Sequence, residues 1–262
     1  VSKHYSSKTL FEDLDISIEE GDRIGLIGAN GAGKSTLLRI LAQIDEADEG
    51  VVTSKKFLKL GFVKQETEFP KGQTIVEAIT KAAIAGGIHK DEALVEAQII
   101  ASQMEFWDLD AVIDTLSGGW KRRLSIACTL VLDPELVILD EPTNHLDAET
   151  VFWLERHLQQ YKGTVIAVTH DRYFLDNVAG WILELDRGEG IPFKGNYTSW
   201  LEQKEKRLAV EARKDDKRRK TLQRELDWIN QSPSARRSKN KARIANYDNM
   251  LKQTQDKQAD DL

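Results

Sequence analysis

Short, fully apolar runs alternate along the first 200 residues with segments whose apolar residues recur at helical spacing. The runs RIGLIG at 23–28, ELVILD at 135–140 and GTVIAVTH at 163–170 predict buried strands. KSTLLRILAQI, RRLSIACTLVL and VFWLERHLQQY predict amphipathic helices between and after them. Because apolar strands that alternate with helices form parallel sheets covered on both faces, we predict an α/β fold.

Four other segments have weaker patterns. Residues 10–28 begin with an alternating segment that predicts a strand (Leu14, Ile16, Ile18). Residues 51–63 predict two short strands around a polar turn, and residues 74–115 predict helices interrupted at Gly86 and Gly87. The segment GWILELDRGEGIPFKG at 180–195 predicts a terminal hairpin.

The pattern changes at Tyr197, after which charged residues dominate and glycine is absent. Sparse apolar residues keep helical spacing (Leu222, Leu226, Ile229) and resume beyond a break at Ser232 and Pro233 (Ile244, Tyr247, Leu251). Two helices that each carry one narrow apolar seam most simply pack as an antiparallel hairpin. We therefore predict an α/β domain at 1–198 and a linker helical hairpin, itself incomplete, at 199–262.

Composition limits the class of protein. The 262 residues are 40% hydrophobic and 31% charged, as in globular domains, and no uninterrupted apolar run is long enough to span a membrane. Cys128 is the only cysteine, so no intrachain disulfide can form, and we expect a buried thiol and a cytoplasmic location. Because the chain begins at Val1 and stops at Leu262 within a helical pattern, we expect a fragment of a longer protein.

Charge is unevenly distributed between the two parts. The whole chain has a net charge of -6, but residues 202–262 hold 17 Lys and Arg against 11 Asp and Glu. Five cations and no acid lie at 232–243, the predicted hairpin tip (Arg236, Arg237, Lys239, Lys241, Arg243). The alternative is a solvated loop. The absence of aromatic residues favours contact with RNA phosphates over base stacking.

The sequence GANGAGKST follows a predicted strand and precedes a predicted helix, which is the context that a phosphate-binding P-loop requires. Glycines let backbone N–H groups turn inward at a helix N-terminus, the lysine reaches the β- and γ-phosphates, and the serine binds Mg²⁺. The predicted nucleoside triphosphate site comprises Gly28, Ala29, Asn30, Gly31, Ala32, Gly33, Lys34, Ser35 and Thr36.

Two further segments carry candidate chemistry. Asp140 and Glu141 end the buried strand LVILD, where the aspartate suits a Mg²⁺ ligand and the glutamate suits a base for the attacking water. Ser117, Gly118 and Gly119 begin another predicted helix and form a second phosphate-binding N-terminus. Because one nucleotide rarely needs two such loops, we predict that the second loop serves the nucleotide of a facing domain.

These motifs, with Gln65, LSGG, VILDEP, NHLD and His170, resemble ABC ATPase nucleotide-binding domains in order and spacing over residues 1–197. The resemblance implies a P-loop domain with a parallel core sheet, an antiparallel β-subdomain and a small α-helical subdomain. It implies that Gln65 senses Mg²⁺ and water, that His170 lies near the γ-phosphate, and that Tyr5 stacks on adenine. It also implies ATP and Mg²⁺ as ligands and a head-to-tail partner domain, in the same chain or in a second copy.

EPTNHLD at 141–147 resembles the ABC-F branch, which lacks membrane domains, and residues 169–204 resemble its translational throttle group. Trp120 in the signature and the interval of only 51 residues between Gln65 and Ser117 resemble the Uup-like group instead. The resemblance implies an ATP-hydrolysing translation factor whose linker contacts rRNA and peptidyl-site tRNA on the ribosome. Two alternatives stay open: a Uup-like ATPase acting on branched DNA, and the ATPase subunit of a transporter.

Overall fold

The structure is a computed structural model that describes residues 1–5, 8–65, 67–144 and 146–231. The chain divides into two compact units, Val1–Trp200 and Leu201–Leu262. Within the described ranges, none of the helices combines the length and the apolar character needed to cross a membrane.

The described strands are β1 Lys3–Tyr5, β2 Lys8–Phe11, β3 Arg23–Gly28, β4 Leu60–Val63, β5 Leu136–Asp140, β6 Thr164–Val168, β7 Trp181–Asp186 and β8 Glu189–Lys194. The described α-helices are α1 Lys34–Leu41, α2 Ile75–Ala85, α3 Lys90–Gln103, α4 Gly118–Leu130, α5 Ala148–Gln160, α6 Arg172–Val178 and α7 Tyr197–Gln231, and one 3-10 turn spans Ile113–Thr115.

Six strands form the central sheet in the order β4-β5-β6-β3-β7-β8. All neighbours are parallel except β7 and β8, which form the predicted antiparallel hairpin. The α/β fold with a parallel core is therefore confirmed. The carboxyl ends of β3, β5 and β6 are neighbours at one edge, where the phosphate loop, Asp140 and His170 follow them.

Apolar side chains cover both faces of this sheet. Along β5 and β6, successive residues alternate between two buried clusters, one with Val137 and Val165 and the other with Ile138 and Ile166. Helices α2 to α6 contribute to the first cluster, and α1 contributes to the second. Two-sided burial explains why these strands are continuous apolar runs in the sequence. Cys128 on α4 is only partly buried, less than expected, and burial raises the pKa of its thiol to about 12.

One strand prediction is wrong and another is confirmed only in part. The segment with Leu14, Ile16 and Ile18 is assigned no strand. It follows Asp13, which has a left-handed φ of 48°, and its Leu14 exchanges two backbone hydrogen bonds with Val1, at 3.0 Å and 2.6 Å. Of the two strands predicted at 51–63, the second is confirmed as β4, whereas residues 51–59 form no strand and Phe57 within them has a left-handed φ of 61°. The antiparallel part outside the central sheet is accordingly the two-stranded β1–β2 ribbon.

One long helix, α7, begins at Tyr197 and ends at Gln231, immediately before the predicted break at Ser232. Asn196 caps it by accepting hydrogen bonds from the Ser199 backbone N–H at 3.1 Å and from the Ser199 hydroxyl at 2.8 Å. The second predicted helix and the basic cluster at 232–243 lie outside the described residues.

Candidate nucleotide-binding site

The phosphate loop connects the end of β3 to the start of α1 and turns on glycines. Gly31 and Gly33 have φ values of 76° and 96°, a left-handed region that favours glycine. A Cβ on Gly33 would lie 3.0 Å from the Cβ of Leu10 on β2, so the loop has no space for a side chain there. These constraints hold the loop in the shape in which backbone N–H groups can surround an anion at the N-terminus of α1.

Lys34 folds its ammonium group over this loop. Its Nζ donates hydrogen bonds to the carbonyl oxygens of Gly28 at 2.9 Å and Ala29 at 3.1 Å. Partial burial lowers its pKa, and the nearby carboxylates of Glu141 and Asp140 oppose that shift. A partly buried cation above a glycine loop fits the β- and γ-phosphates of a nucleotide.

The hydroxyl of Ser35 and the carboxylate of Asp140 meet at the edge of the sheet. Ser35 Oγ donates to Asp140 Oδ1 at 3.2 Å, and burial raises the pKa of Asp140 despite this hydrogen bond. The described part of the chain contains no group of three or more His, Cys, Asp and Glu residues arranged to hold a metal. Two oxygen ligands beside a phosphate loop nevertheless fit Mg²⁺, which takes few protein ligands and completes its shell with water and phosphate oxygens.

Glu141 and His170 face each other across the ends of β5 and β6. The His170 Nε2 lies 3.4 Å from the Glu141 Oε1, and the second carboxylate oxygen of Glu141 is buried with no hydrogen-bond partner among the described residues. Burial raises the pKa of Glu141, and His170 opposes the shift. Glu141 has a left-handed φ of 48°, fixed by its backbone N–H donating to Val168 O at 2.8 Å. Such a carboxylate can accept a proton from a water molecule placed beside it.

Arg122, on α4, is a site residue that sequence reasoning missed. Its guanidinium is buried and donates through Nη1 to the backbone oxygens of Lys64 and of Gln65, the latter at 3.1 Å. Its Nη2 donates to the backbone oxygen of Asp140 at 2.7 Å. Burial lowers the pKa of Arg122 to about 10, so it stays charged at neutral pH. Arg122 thus holds the Gln65 segment beside the end of β5, and no spacing in the sequence indicates this role.

The signature residues lie on a different part of the domain. Ser117 caps α4, where its Oγ accepts from the Trp120 backbone N–H at 3.5 Å, and a Cβ on Gly118 would meet open space. A Cβ on Gly119 would lie 3.2 Å from the Thr150 hydroxyl of α5. Helix α4 packs on α2, α3 and β4, whereas α1 packs on β3 and β5. The structure therefore does not place Ser117, Gly118 and Gly119 on the elements that form the phosphate loop.

Trp120, in the signature segment, contributes to the packing of α4 against α5. The guanidinium of Arg123 lies between two indoles, 4.4 Å from the centroid of Trp120 and 4.3 Å from that of Trp153. Arg123 also forms a salt bridge of 3.0 Å with Glu105, after α3. The cation–π contacts of Arg123 with both indoles give Trp120 a structural role at this position.

Tyr5 lies on the exposed β1–β2 ribbon, whose Leu10 abuts the phosphate loop. Its side chain is 56% exposed, and Lys3 approaches the ring, with Nζ 5.9 Å from the centroid. A ring with this exposure can stack on a base. The predicted nucleic-acid residues lie outside the described residues (Arg236, Arg237, Lys239, Lys241, Arg243).

Residues 11–144 match the protein family described as ABC transporter, which covers half of the chain. This chain belongs to the ABC family. A second family with the same description matches residues 183–261, which include β8, α7 and the end of the chain. The recognition made from the P-loop, signature and NHLD motifs is thereby confirmed.

Several relatives place the chain in the ABC-F branch of that family. The energy-dependent translational throttle protein EttA of Haemophilus influenzae is 44% identical over 277 residues, covering 92% of this chain and 50% of EttA. EttA of Mycobacterium tuberculosis is 39% identical over 284 residues, covering 95% of this chain and 51% of EttA. The chain spans about half the length of the curated relatives that it matches. Because the aligned length of 277 exceeds 262 residues, the relatives contain additional residues within the matched region.

Solved ABC domains have the same fold. The ATP-binding cassette MJ0796 in a dimeric, post-hydrolysis state with ADP and Pi matches with a TM-score of 0.64 and 26% identity, covering 74% of this chain and 96% of that chain. The ATP-binding subunit of an ABC transporter matches with a TM-score of 0.66 at 22% identity, covering 74% of this chain and 87% of that chain, and supports the fold alone.

Proposed function

We propose that this chain binds ATP with Mg²⁺ and hydrolyses the bond between its β- and γ-phosphates. The phosphate loop from Gly28 to Thr36 and Lys34 would bind the phosphates, and Tyr5 would stack on the adenine. Ser35, Asp140 and Gln65 would hold Mg²⁺, which neutralises phosphate charge when bound. The observation that carries the proposal is the 3.4 Å approach of His170 to Glu141 beside the phosphate loop. Glu141 would take a proton from the attacking water, and His170 would orient the γ-phosphate.

The signature residues Ser117, Gly118 and Gly119 would complete the site of a facing ABC domain. They begin α4, which packs on α2, α3 and β4, whereas the phosphate loop leads into α1, which packs on β3 and β5, and this difference supports a composite site. We therefore expect the isolated chain to bind ATP and to hydrolyse it slowly, with a specific activity that rises with protein concentration. A fast rate that is independent of concentration would contradict the composite site.

We further propose that the complete protein is a translation factor that acts on the ribosome in the cytoplasm, with residues 1–198 as ATPase domain and 199–262 as linker. The similarity to EttA supports this, and so does a charge pattern on α7. Arg213, Lys217, Lys220 and Arg224 are all exposed and lie four, three and four residues apart. At 3.6 residues per turn they occupy one face about 60° wide and about 16 Å long. Four exposed cations on one face of a helix suit contact with a polyanion.

Substitution of Glu141 tests both halves of the proposal. In the complete protein, Glu141→Gln should lower ATP hydrolysis by about 10²- to 10⁴-fold and trap an ATP-dependent ribosome complex that sediments with ribosomes. The matched control is Glu149→Gln, the same chemical change at an exposed glutamate on α5. Hydrolysis that survives in Glu141→Gln would contradict the catalytic role, and ATP binding without ribosome association would contradict the translation role alone.

A competition assay separates RNA from DNA. Replacing Arg213, Lys217, Lys220 and Arg224 by Gln should weaken ribosome binding, with ATP affinity unchanged. The log-log salt dependence of that binding should flatten by about 0.7–0.9 for each phosphate that the variant no longer neutralises. Substituting Arg236, Arg237 and Lys239 at the predicted tip should act in the same direction. If branched DNA displaced ribosomes at physiological salt, the Uup-like alternative would replace the translation role.

One observation favours the transporter alternative. Helix α3 exposes Leu94, Val95 and Ile99, and apolar side chains in this region are what a membrane partner of an ATPase subunit would contact. The transporter alternative does not explain the basic face of α7. Loss of ribosome binding in a Leu94→Ser, Val95→Ser variant with an intact α7 would show that this face serves the ribosome instead.

A further inference from the structure

Helix α6 begins directly after the His170 segment and is fixed to it. Asp171 caps the helix, because its Oδ1 accepts hydrogen bonds from the backbone N–H groups of Tyr173 at 3.0 Å and Phe174 at 3.1 Å. Phe174, Leu175 and Val178 are buried and attach the seven-residue helix to the domain core. The cap and the buried face thus hold α6 both to the residues before it and to the domain core.

The same helix is also in contact with β3 and with α5. A Cβ on Gly25 would lie 2.7 Å from Leu175 Cδ2, so α6 packs closely on β3, the strand that leads into the phosphate loop. The side-chain amide of Asn177 donates to Glu155 Oε2 on α5 at 2.9 Å. Because packed cores transmit strain, we expect a displacement of β3 or of the segment after β6 to reach α6 through these contacts.

At its other end α6 holds the first turn of α7. The carboxylate of Asp176 uses both oxygens on one residue: Oδ1 accepts from the Thr198 backbone N–H at 2.7 Å, and Oδ2 accepts from the Thr198 hydroxyl at 2.5 Å. The N–H groups of a first helical turn have no partner within their own helix, so this contact satisfies a group that α7 leaves open. The Arg172 guanidinium adds a second contact, 5.8 Å from the Tyr197 ring centroid.

The first turn of α7 is held at one more point, on the central sheet. The indole Nε1 of Trp200 donates to Glu184 Oε2 on β7 at 3.1 Å, and both side chains are buried. Tyr197 packs on Trp200 with ring centroids 5.0 Å apart. Trp200 thus fixes the turn to the sheet, while Thr198, two residues earlier, ties it to α6.

We propose that the Asp176–Thr198 contact couples the state of the nucleotide site to the first turn of the linker helix α7. The inference rests on the proposed ATPase function and adds how the linker senses the nucleotide. Asp176 and Thr198 act through α6 and are positioning residues. Coupling between two binding sites is reciprocal. If ATP changes the affinity of α7 for a ligand by some factor, binding of that ligand to α7 changes the affinity for ATP by the same factor.

Hydrogen exchange at the amides of 198–200 in the complete protein tests the coupling. In a Glu141→Gln background, ATP and ADP states should differ by about fivefold or more in exchange rate at these amides. Asp176→Ala should make the Thr198 amide exchange about tenfold to a hundredfold faster in both states and abolish the difference between them. Asp176→Asn retains an acceptor for the Thr198 N–H and should restore part of the difference.

The matched control is Asp114→Ala, which removes an aspartate that accepts from the Gly72 backbone N–H at 2.8 Å, at a place remote in sequence from α6. It should leave the exchange difference at 198–200 unchanged. If Asp176→Ala does not fold, Thr198→Val removes the hydroxyl contact alone and should reduce the difference. Wild-type exchange without a nucleotide effect, or an effect that persists in both variants, would overturn the coupling. A titration showing no ATP binding at all would overturn the proposed ATPase function as well, which keeps the two failures distinct.

Discussion

Replacing Arg122 by methionine should destabilise the domain and slow hydrolysis at the same time. The guanidinium supplies three hydrogen bonds to the backbone oxygens of Lys64, Gln65 and Asp140, and each such bond from a charged donor contributes about 1.5–3 kcal/mol. Against this, burial that lowers the pKa of Arg122 to about 10 costs the charged form about 3 kcal/mol. The difference predicts a loss of about 1.5–6 kcal/mol in the free energy of unfolding.

Urea unfolding followed by tryptophan fluorescence measures that loss. Lys121→Met is the control, since Lys121 is the neighbouring residue of α4, is only partly buried, and should change the free energy of unfolding by no more than about 0.5 kcal/mol. Because Arg122 fixes the backbone of Gln65, kcat should fall about a hundredfold, as expected for a misplacement near 1 Å, with little change in ATP affinity. An Arg122→Met protein as stable as Lys121→Met would refute the hydrogen-bond account, and full activity would refute the role in positioning Gln65.

Three further results are expected. Gly33→Ala should destabilise the domain by about 1–3 kcal/mol and weaken ATP binding, because Gly33 has a φ of 96° and a Cβ there would contact Leu10. The control Gly118→Ala places its Cβ in open space and should have the melting temperature of the wild type. Hydrolysis should rise with pH along an acid limb centred above 4.5, because burial raises the pKa of Glu141 and the base acts deprotonated; a limb centred at or below 4.5 in the rate profile would contradict this. Asp171→Ala should remove the α6 cap, cost about 1 kcal/mol in a melt and lower hydrolysis, and an unchanged rate would separate α6 from catalysis.

The central sheet was predictable from sequence because its chemistry is local. The run before the phosphate loop and the runs at 135–140 and 163–170 are apolar on nearly every residue, as two-sided burial requires, and each proved to be a strand. Helix α6 was missed although the sequence contains its signal. Asp171 stands at an N-cap position before Phe174, Leu175 and Val178, a pattern too short for periodicity to detect.

Other features had no sequence signal. Alternation at Leu14, Ile16 and Ile18 predicted a strand, but an alternating pattern does not show whether a partner strand exists, and the structure assigns no strand to this segment. Arg122 and Gln65 are 57 residues apart in the sequence, and Asp176 and Thr198 are 22 residues apart. Neither contact exists until the chain has folded, so no local pattern indicates it. A charged residue on a helix is usually interpreted as solvent-exposed, and Arg122 departs from that rule because it is buried.

Glu141 shows what the proposed reaction costs the fold. A left-handed backbone at a non-glycine residue costs of the order of 1 kcal/mol or more, and the buried Oε2 has no hydrogen-bond partner within the described ranges. Glycine would relieve both penalties and remove the base. Stability and hydrolysis therefore oppose each other at this one position. Laboratory evolution of this domain for heat resistance, without a requirement for hydrolysis, should replace Glu141 early.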